Sequence, residues 1–441
     1  MSRLTLLFAM ISAQLGMALA ASAETTMVVR DATPATGQAL PEAIVHSRLA
    51  ADVLNALKED PIVELSGLDI RTDDGVVTLT GSQSLLLASD RATYVAETVP
   101  GVRRVVNRLS VRQAREADTQ RLESDVRYAL LTDPATAGNS IDVSADASGR
   151  VTLEGVVAGH VERQFAEEVV RSIIGVTAVA NRIRIASSHR PSDRQLVADA
   201  RQALAWDAYV DGRRIDVAAM DGVVMLAGKV DSAAARRRSI ALSWVAGAKN
   251  VNASQLKVVD RRIEEVSEDS LGKFELVSDE QLAAIIRRAL QADPRLRDST
   301  VEVAVQHAEV TLSGAVDSLL AKRVALGLTH AVRGVGSVDS QLQVPATAQL
   351  FSDAEIEARI DRALERNSAT RDAVIGISVL DGAVTLEGEA SNWLARQIAD
   401  TVAASIRGVH AVENDIVVAN GRGALPFNPY LDMGPFAWVV P

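Results

Sequence analysis

A Val-x-Leu-x-Gly pentapeptide occurs five times in this chain: Val77–Gly81, Val151–Gly155, Val224–Gly228, Val310–Gly314 and Val384–Gly388. Residues two apart in a strand share a face, so each Val/Leu pair marks the buried side of a strand. Glycine suits a place where the chain turns sharply or another backbone comes close, and each strand is expected to end there. The five glycines fall 74, 73, 86 and 74 residues apart. That interval is one small domain, so the chain reads as five copies of a single module with one insertion.

The rest of the module repeats in phase. Its first helix carries Val45, Leu49, Val53 and Leu57 on one face and stops at Asp60-Pro61, because the residue before proline is pushed out of the helical region. The same ending recurs at Ala129–Pro134 and Ala289–Pro294, and degenerates to Asp207-Ala208 and Asn367-Ser368. Asp74-Gly75, Asp221-Gly222 and Asp381-Gly382 then mark tight hairpins, with Ser148-Gly149 a variant. Module four has His307-Ala308 instead, which predicts a looser turn or one of another type. A second helix presents Ala92, Ala166, Ser239, Ala325 and Ala399 at one recurring position, and an aliphatic residue three further on. It should end at Gly101, Gly175, Gly247, Gly334 and Gly408 in a left-handed C-terminal conformation. In module three this glycine comes one position early, with an extra residue after it. The closing strand has Leu109/Val111, Ile183/Ile185, Leu256/Val258, Leu342/Val344 and Ile416/Val418 on its inner face.

The order is helix, strand, strand, helix, strand. Pairing of the last two strands across a helix makes them parallel. The expected class is therefore α+β: five tandem αββαβ modules, each a three-stranded sheet with two helices on one face. Their limits are residues 43–112, 116–186, 192–260, 278–345 and 352–419. Residues 24–42 read as a flexible leader and residues 261–277 as a charged linker, helical or disordered, that separates three modules from two. Residues 420–441 form a Gly- and Pro-rich tail holding Phe427, Tyr430, Phe436 and Trp438, an aromatic content that points to docking on a partner.

Arg3, the apolar run Leu4–Leu19 and Ala21-Ser22-Ala23 have the three parts of a secretory signal cleaved after Ala23; a retained anchor is the alternative. Export across the inner membrane to the periplasm is the expectation. The chain has no cysteine, which removes lipidated cysteine, disulfides and thiol catalysis. The formal charge of −11, without a basic stripe interleaved with aromatics, argues against nucleic acid as a partner.

The element order, the Val-x-Leu-x-Gly strand, the Gly-Val ending and Val105-x-Asn107, with Asn181 and Asn414 in matching places, resemble the BON domain. The likeness runs from about Ala43 to Ala419; departures are the module-four turn, Ser340 in place of the asparagine, and the shifted ending of module three. The resemblance implies a non-enzymatic periplasmic module that contacts phospholipid surfaces and envelope partners, as in osmotically induced bacterial proteins.

The residues themselves agree on chemistry. None of the six histidines recurs at an equivalent position or pairs at helical spacing, so no metal or other cofactor is expected. Nucleophile-elbow, phosphate-loop and dinucleotide glycine patterns are missing, so no catalytic residue is proposed. Binding is expected in module three, the only basic one by formal count. Trp206, Tyr209, Arg213, Arg214, Arg236, Arg237 and Arg238 there combine rings with guanidinium groups, a pairing suited to a phospholipid interface. A solvated helix face is the competing reading. A scaffold for envelope protein partners, using repeat surfaces and the tail, is the second functional reading. The pattern is silent on oligomeric state.

Overall fold

The computed structural model describes residues 29–31, 40–60, 62–112, 117–186, 191–259, 278–345 and 351–419. The expected signal sequence (1–23), the expected charged linker (261–277) and the tail with Phe427, Tyr430, Phe436 and Trp438 lie outside the described residues. Module one consists of α1 (Leu40–Glu59), β2 (Asp69–Asp73), β3 (Val76–Gln83), α2 (Leu86–Thr98) and β4 (Arg104–Val111). A short strand from the leader, β1 (Val29–Asp31), lies parallel to β2. Module two is α3 (Thr119–Thr132), β5 (Ile141–Ala145), β6 (Arg150–Val157), α4 (His160–Arg171) and β7 (Ala178–Ile185). Module three is α5 (Asp193–Trp206), β8 (Ile215–Met220), β9 (Val223–Val230), α6 (Ala233–Leu242) and β10 (Asn250–Val258). Module four is α7 (Asp279–Ala292), β11 (Thr300–Gln306), β12 (Glu309–Ala315), α8 (Leu319–His330) and β13 (Ser337–Gln343). Module five is α9 (Asp353–Arg366), β14 (Val374–Leu380), β15 (Ala383–Ala390), α10 (Trp393–Ser405) and β16 (Ala411–Val418).

In each module the middle strand pairs antiparallel with the first and parallel with the last. The fold is the expected α+β repeat. The Val and Leu of the pentapeptide are at most 1 % exposed in every copy. The small residue of the second helix (Ala92, Ala166, Ser239, Ala325, Ala399) is wholly buried, which lets that helix sit close on the sheet. In the closing strand Ile183, Leu256, Leu342 and Ile416 are buried, but Leu109 and the five residues two further on are only half-buried.

The pentapeptide glycine does not end its strand. β3, β6, β9, β12 and β15 all continue past it. It serves close backbone approach instead. A Cβ on Gly314 or Gly388 would lie 2.0 Å from the carbonyl oxygen of Thr300 or Val374, where the first strand begins. The later glycine is likewise not the terminal residue of the second helix. α2 stops at Thr98, and Gly101 is the third residue of a β-turn closed by Val102 N–H donating to the Val99 carbonyl at 3.1 Å. Equivalent bonds close the turns at Val176, Ala248, Val335 and Val409, and a left-handed glycine sits third in each.

The module-four turn is not looser. His307 and Ala308 adopt φ of 52° and 64°, the conformation of Asp381-Gly382 at 51° and 79°. The Asp279 carboxylate holds it by accepting from the His307 and Ala308 N–H groups at 2.7 and 3.1 Å. Asp193 and Asp353 brace their own hairpins in the same way.

The recurrent Asp after the first helix also has a physical cause. Asp60, Asp133, Asp207, Asp293 and Asn367 each accept from the backbone N–H two residues on, at 2.9–3.1 Å, so each forms an Asx-turn that directs the chain into the hairpin.

The modules do not stack in chain order. Module two touches every other module: Arg171 clamps Asp90 of module one, His160 stacks on Trp244 of module three, Arg297 of module four pairs with Glu162, and Arg366 of module five pairs with Asp125. Backbone joins too: Ser368 N–H donates to the Ser172 carbonyl at 2.7 Å, and Ile174 N–H to that of Arg366 at 3.0 Å. Module three meets module four through Arg333 N–H on the Trp206 carbonyl at 2.8 Å, and meets module one where α6 packs on α2. Ala404 of module five sits in the core of module four.

Candidate functional site

Ser192 caps α5 by accepting from Gln195 N–H at 3.2 Å, and the helix runs to the Asx-turn at Asp207. That turn places Trp206, Tyr209 and the short 3-10 segment Gly212–Arg214 at one end of module three. α6, capped by Ser232, brings Arg236, Arg237 and Arg238 along its first turns. The local sequence thus gathers the basic and aromatic side chains of the module, but in two different environments.

The three helix arginines point inward. Arg238 grips the buried Asp207 carboxylate through Nε and Nη2 at 2.9 and 2.6 Å, and its guanidinium lies 4.7 Å from the Tyr209 ring centre. Arg237 pairs with Glu97 of module one and lies 5.8 Å from the Tyr94 ring; burial pulls its pKa down to about 10. Arg236 donates to the carbonyls of Ala253 and Leu256 at 2.8 and 3.1 Å. Burial lowers its pKa too, with the Arg104 charge adding to the effect.

Arg236 explains the irregularity of module three. Pairing of β10 with β9 slips between Asn252 and Gln255, so the extra residue seen in the sequence emerges as a β-bulge. In the regular modules one, two and five, an asparagine in the last strand donates to a carbonyl of the second helix: Asn107 to Ser89, Asn181 to Arg163, Asn414 to Arg396, at 2.9–3.0 Å. The bulge displaces that asparagine, and Arg236 reaches back from the helix to the strand in its stead.

Of the remaining residues, Tyr209 and Arg213 are exposed and Arg214 is half-buried. Tyr209 is 54 % exposed. Arg213 and Arg214 follow it four and five residues on and are paired with Asp211 at 3.0 Å and Asp231 at 2.6 Å. The Arg213 hydrogen bond holds the Asp211 carboxyl below its usual range. Trp206 faces away from this rim into a cleft between modules two, three and four.

That cleft has a volume of about 1000 Å³. Its apolar wall comprises Trp206 and Trp244 of module three and Ile285, Leu328 and Val332 of module four, with Ile183 and Ile185 of module two also lining it. Along its edge His160 and Trp244 stack with ring centres 3.7 Å apart. Burial, helped by the Arg163 charge, depresses the His160 pKa to about 4, so the imidazole is neutral at pH 7. Among the described residues no group of three or more His, Asp or Glu side chains is placed to hold a metal ion. No described helix is long and apolar enough to cross a membrane. Trp206 stood out in the sequence; the cleft it enters did not, since the residues lining it are scattered from Ala158 to Val332 over three modules.

Five stretches, residues 46–113, 118–187, 192–260, 278–346 and 352–420, match the model of the BON domain. The chain belongs to the BON domain family. Its BON modules are also similar to the osmotically-inducible protein Y of Escherichia coli strain K12, with 28 % identity over 144 residues that cover 31 % of this chain and 71 % of that one. Among solved structures, the C-terminal domain of CdsD, described as the structural protein of the type III secretion system of Chlamydia trachomatis, aligns at 15 % identity and a TM-score of 0.14. It covers 48 % of this chain and 97 % of its own. A second CdsD structure aligns at 14 % identity with the same TM-score of 0.14, covering 51 % and 95 %.

Proposed function

We propose that this BON protein is a non-enzymatic component of the bacterial envelope, working in the periplasm, where it contacts phospholipid surfaces peripherally and supports envelope integrity under osmotic stress. Its membership of the BON family and its similarity to an osmotically inducible protein support the envelope role. The observation that carries the lipid contact is the segment after α5, which within six residues carries the 54 % exposed Tyr209, the exposed Arg213 and the half-buried Arg214. An aromatic ring at headgroup depth beside guanidinium groups suits an anionic lipid surface. Their pairing with Asp211 and Asp231 makes the contact weak and salt-sensitive, since each basic residue contributes on the order of 1 kcal/mol near such a surface.

Arg236, Arg237 and Arg238 are engaged inside the molecule, so the test belongs on the rim. Co-sedimentation with phosphatidylglycerol vesicles at low and high salt should fall for Tyr209→Ala/Arg213→Glu/Arg214→Glu. Binding equal to wild type at both salt levels would end the reading.

A second reading, a scaffold for envelope protein partners, is favoured by β14. This edge strand has no charged residue, and its ends Val374 and Leu380 are 78 % and 74 % exposed. Proteins normally guard such edges with charge or proline. An extended partner segment would add to it as β1 adds to β2. Placing Lys at Val374 and Leu380 should abolish partner capture while leaving vesicle binding intact.

A further inference from the structure

We infer that the cleft between BON modules two, three and four is a discrete binding site for a single-chain amphipathic anion, a long-chain carboxylate or alkyl phosphate. The site differs from the surface contact proposed above, because it encloses a monomer and is assembled from three modules.

Shape argues first. A cleft of about 1000 Å³ lies at the upper end of ordinary small-ligand pockets, and its wall is mostly apolar, as in such pockets. Trp206, Trp244, Ile285, Leu328 and Val332 would face a hydrocarbon chain. Helices α5, α7 and α8 supply Trp206, Ile285 and Leu328 to this wall.

Charge then selects the head group. Each carboxylate lining the cleft is already matched: Glu162 by Arg297 at 2.9 Å, Asp207 by Arg238 at 2.6 Å, and Asp199 by Arg288 at 3.8 Å. Among the described residues Arg163 and Arg184, which also line it, have no carboxylate partner. The Arg163 guanidinium meets the His160 ring nitrogen at 3.2 Å and lies 5.9 Å from the Trp244 ring. Two guanidinium groups without a counter-charge at the edge of an apolar wall complement an anion with an apolar tail. A cationic or zwitterionic amphiphile has no matching carboxylate to meet.

The test uses the full chain with Trp393→Phe and Trp438→Phe, which leaves Trp206 and Trp244 as the fluorescent reporters. Dodecanoate and dodecyl phosphate are titrated below their micelle-forming concentrations, with dodecyltrimethylammonium as the control; the two anions separate a carboxylate source from a phosphate source. Saturable one-to-one binding of either anion, with a change in tryptophan emission, is expected. Arg184→Glu, at an exposed site without a partner, should weaken it about tenfold or more, the worth of a charge-assisted hydrogen bond. Ala289→Phe, which fills the cleft from α7 without deleting a contact, should abolish it. Equal binding of the ammonium control, or titrations that neither variant changes, would overturn the site. Vesicle co-sedimentation of Ala289→Phe should match that of the parent chain, so failure of this site and failure of the surface contact are read separately.

Discussion

His160 of module two lies flat on Trp244 of module three, with ring centres 3.7 Å apart and planes 2° from parallel. The two belong to different modules, and their stack is one of the joints through which module two holds the assembly together. It also carries a proton-dependent weakness.

Folding depresses the His160 pKa from 6.5 to about 4, chiefly by burial. A depressed folded pKa contributes stability that is present above the unfolded value and lost as pH falls through the folded one. His160→Phe keeps the stack and removes the titration. Between about pH 7.5 and pH 4, wild type should lose on the order of 2–3 kcal/mol relative to His160→Phe in urea unfolding. A constant difference would exclude the linkage.

Asp133 behaves in the opposite sense. Burial raises its pKa from 3.8 to about 6, against hydrogen bonds from Ala135 and Thr136 and the nearby Arg295 charge of module four. A raised folded pKa contributes stability that is complete below the unfolded value and is lost as pH rises through the folded one. Asp133→Asn keeps an oxygen for the Ala135 N–H. It should match wild type near pH 4 and exceed it by on the order of 2 kcal/mol near pH 8, measured by thermal melts at both ends.

Arg236 is structural in this fold. Arg236→Met keeps its aliphatic packing but leaves the Ala253 and Leu256 carbonyls at the bulge without their charged donor. A loss of about 2 kcal/mol is expected. Hydrogen exchange should quicken across β10 before it does in the other sheets; uniform quickening would point away from a local role.

Two backbone substitutions should act in opposite directions. Ala308 is held at φ 64°, where an alanine is strained, so Ala308→Gly should stabilise by up to about 1 kcal/mol after the entropy of the unfolded glycine is subtracted. Gly314→Ala would put a Cβ 2.0 Å from the Thr300 carbonyl oxygen and should cost about 3 kcal/mol or more. Chemical denaturation of the pair measures both.

Because module two meets the other four, the five modules should melt together. Calorimetry is expected to give one transition with equal calorimetric and van't Hoff enthalpies. Separate transitions, with an enthalpy ratio well above about 1, would mean that the joints at Asp90–Arg171 and Asp125–Arg366 are too weak to couple them.

Sequence alone determined the module. Val/Leu alternation, the Asx residue after the first helix and the hairpin dipeptides act over a few residues, and their geometry follows from backbone sterics whatever surrounds them. The glycines were legible as special positions, but their roles were not: only the partner strand's carbonyl, such as that of Thr300 opposite Gly314, shows that close approach is the cause. The basic residues of module three were legible as a group, but tertiary packing decided their use. Arg238 meets Asp207 from 31 residues away, and Arg237 meets Glu97 in another module, leaving Tyr209 and Arg213 exposed. The non-sequential order of the modules and the cleft at their junction were likewise set by tertiary structure. Those contacts join side chains on surfaces that carry no periodic signal, and a repeat pattern records what each module buries within itself, not which neighbour covers the rest.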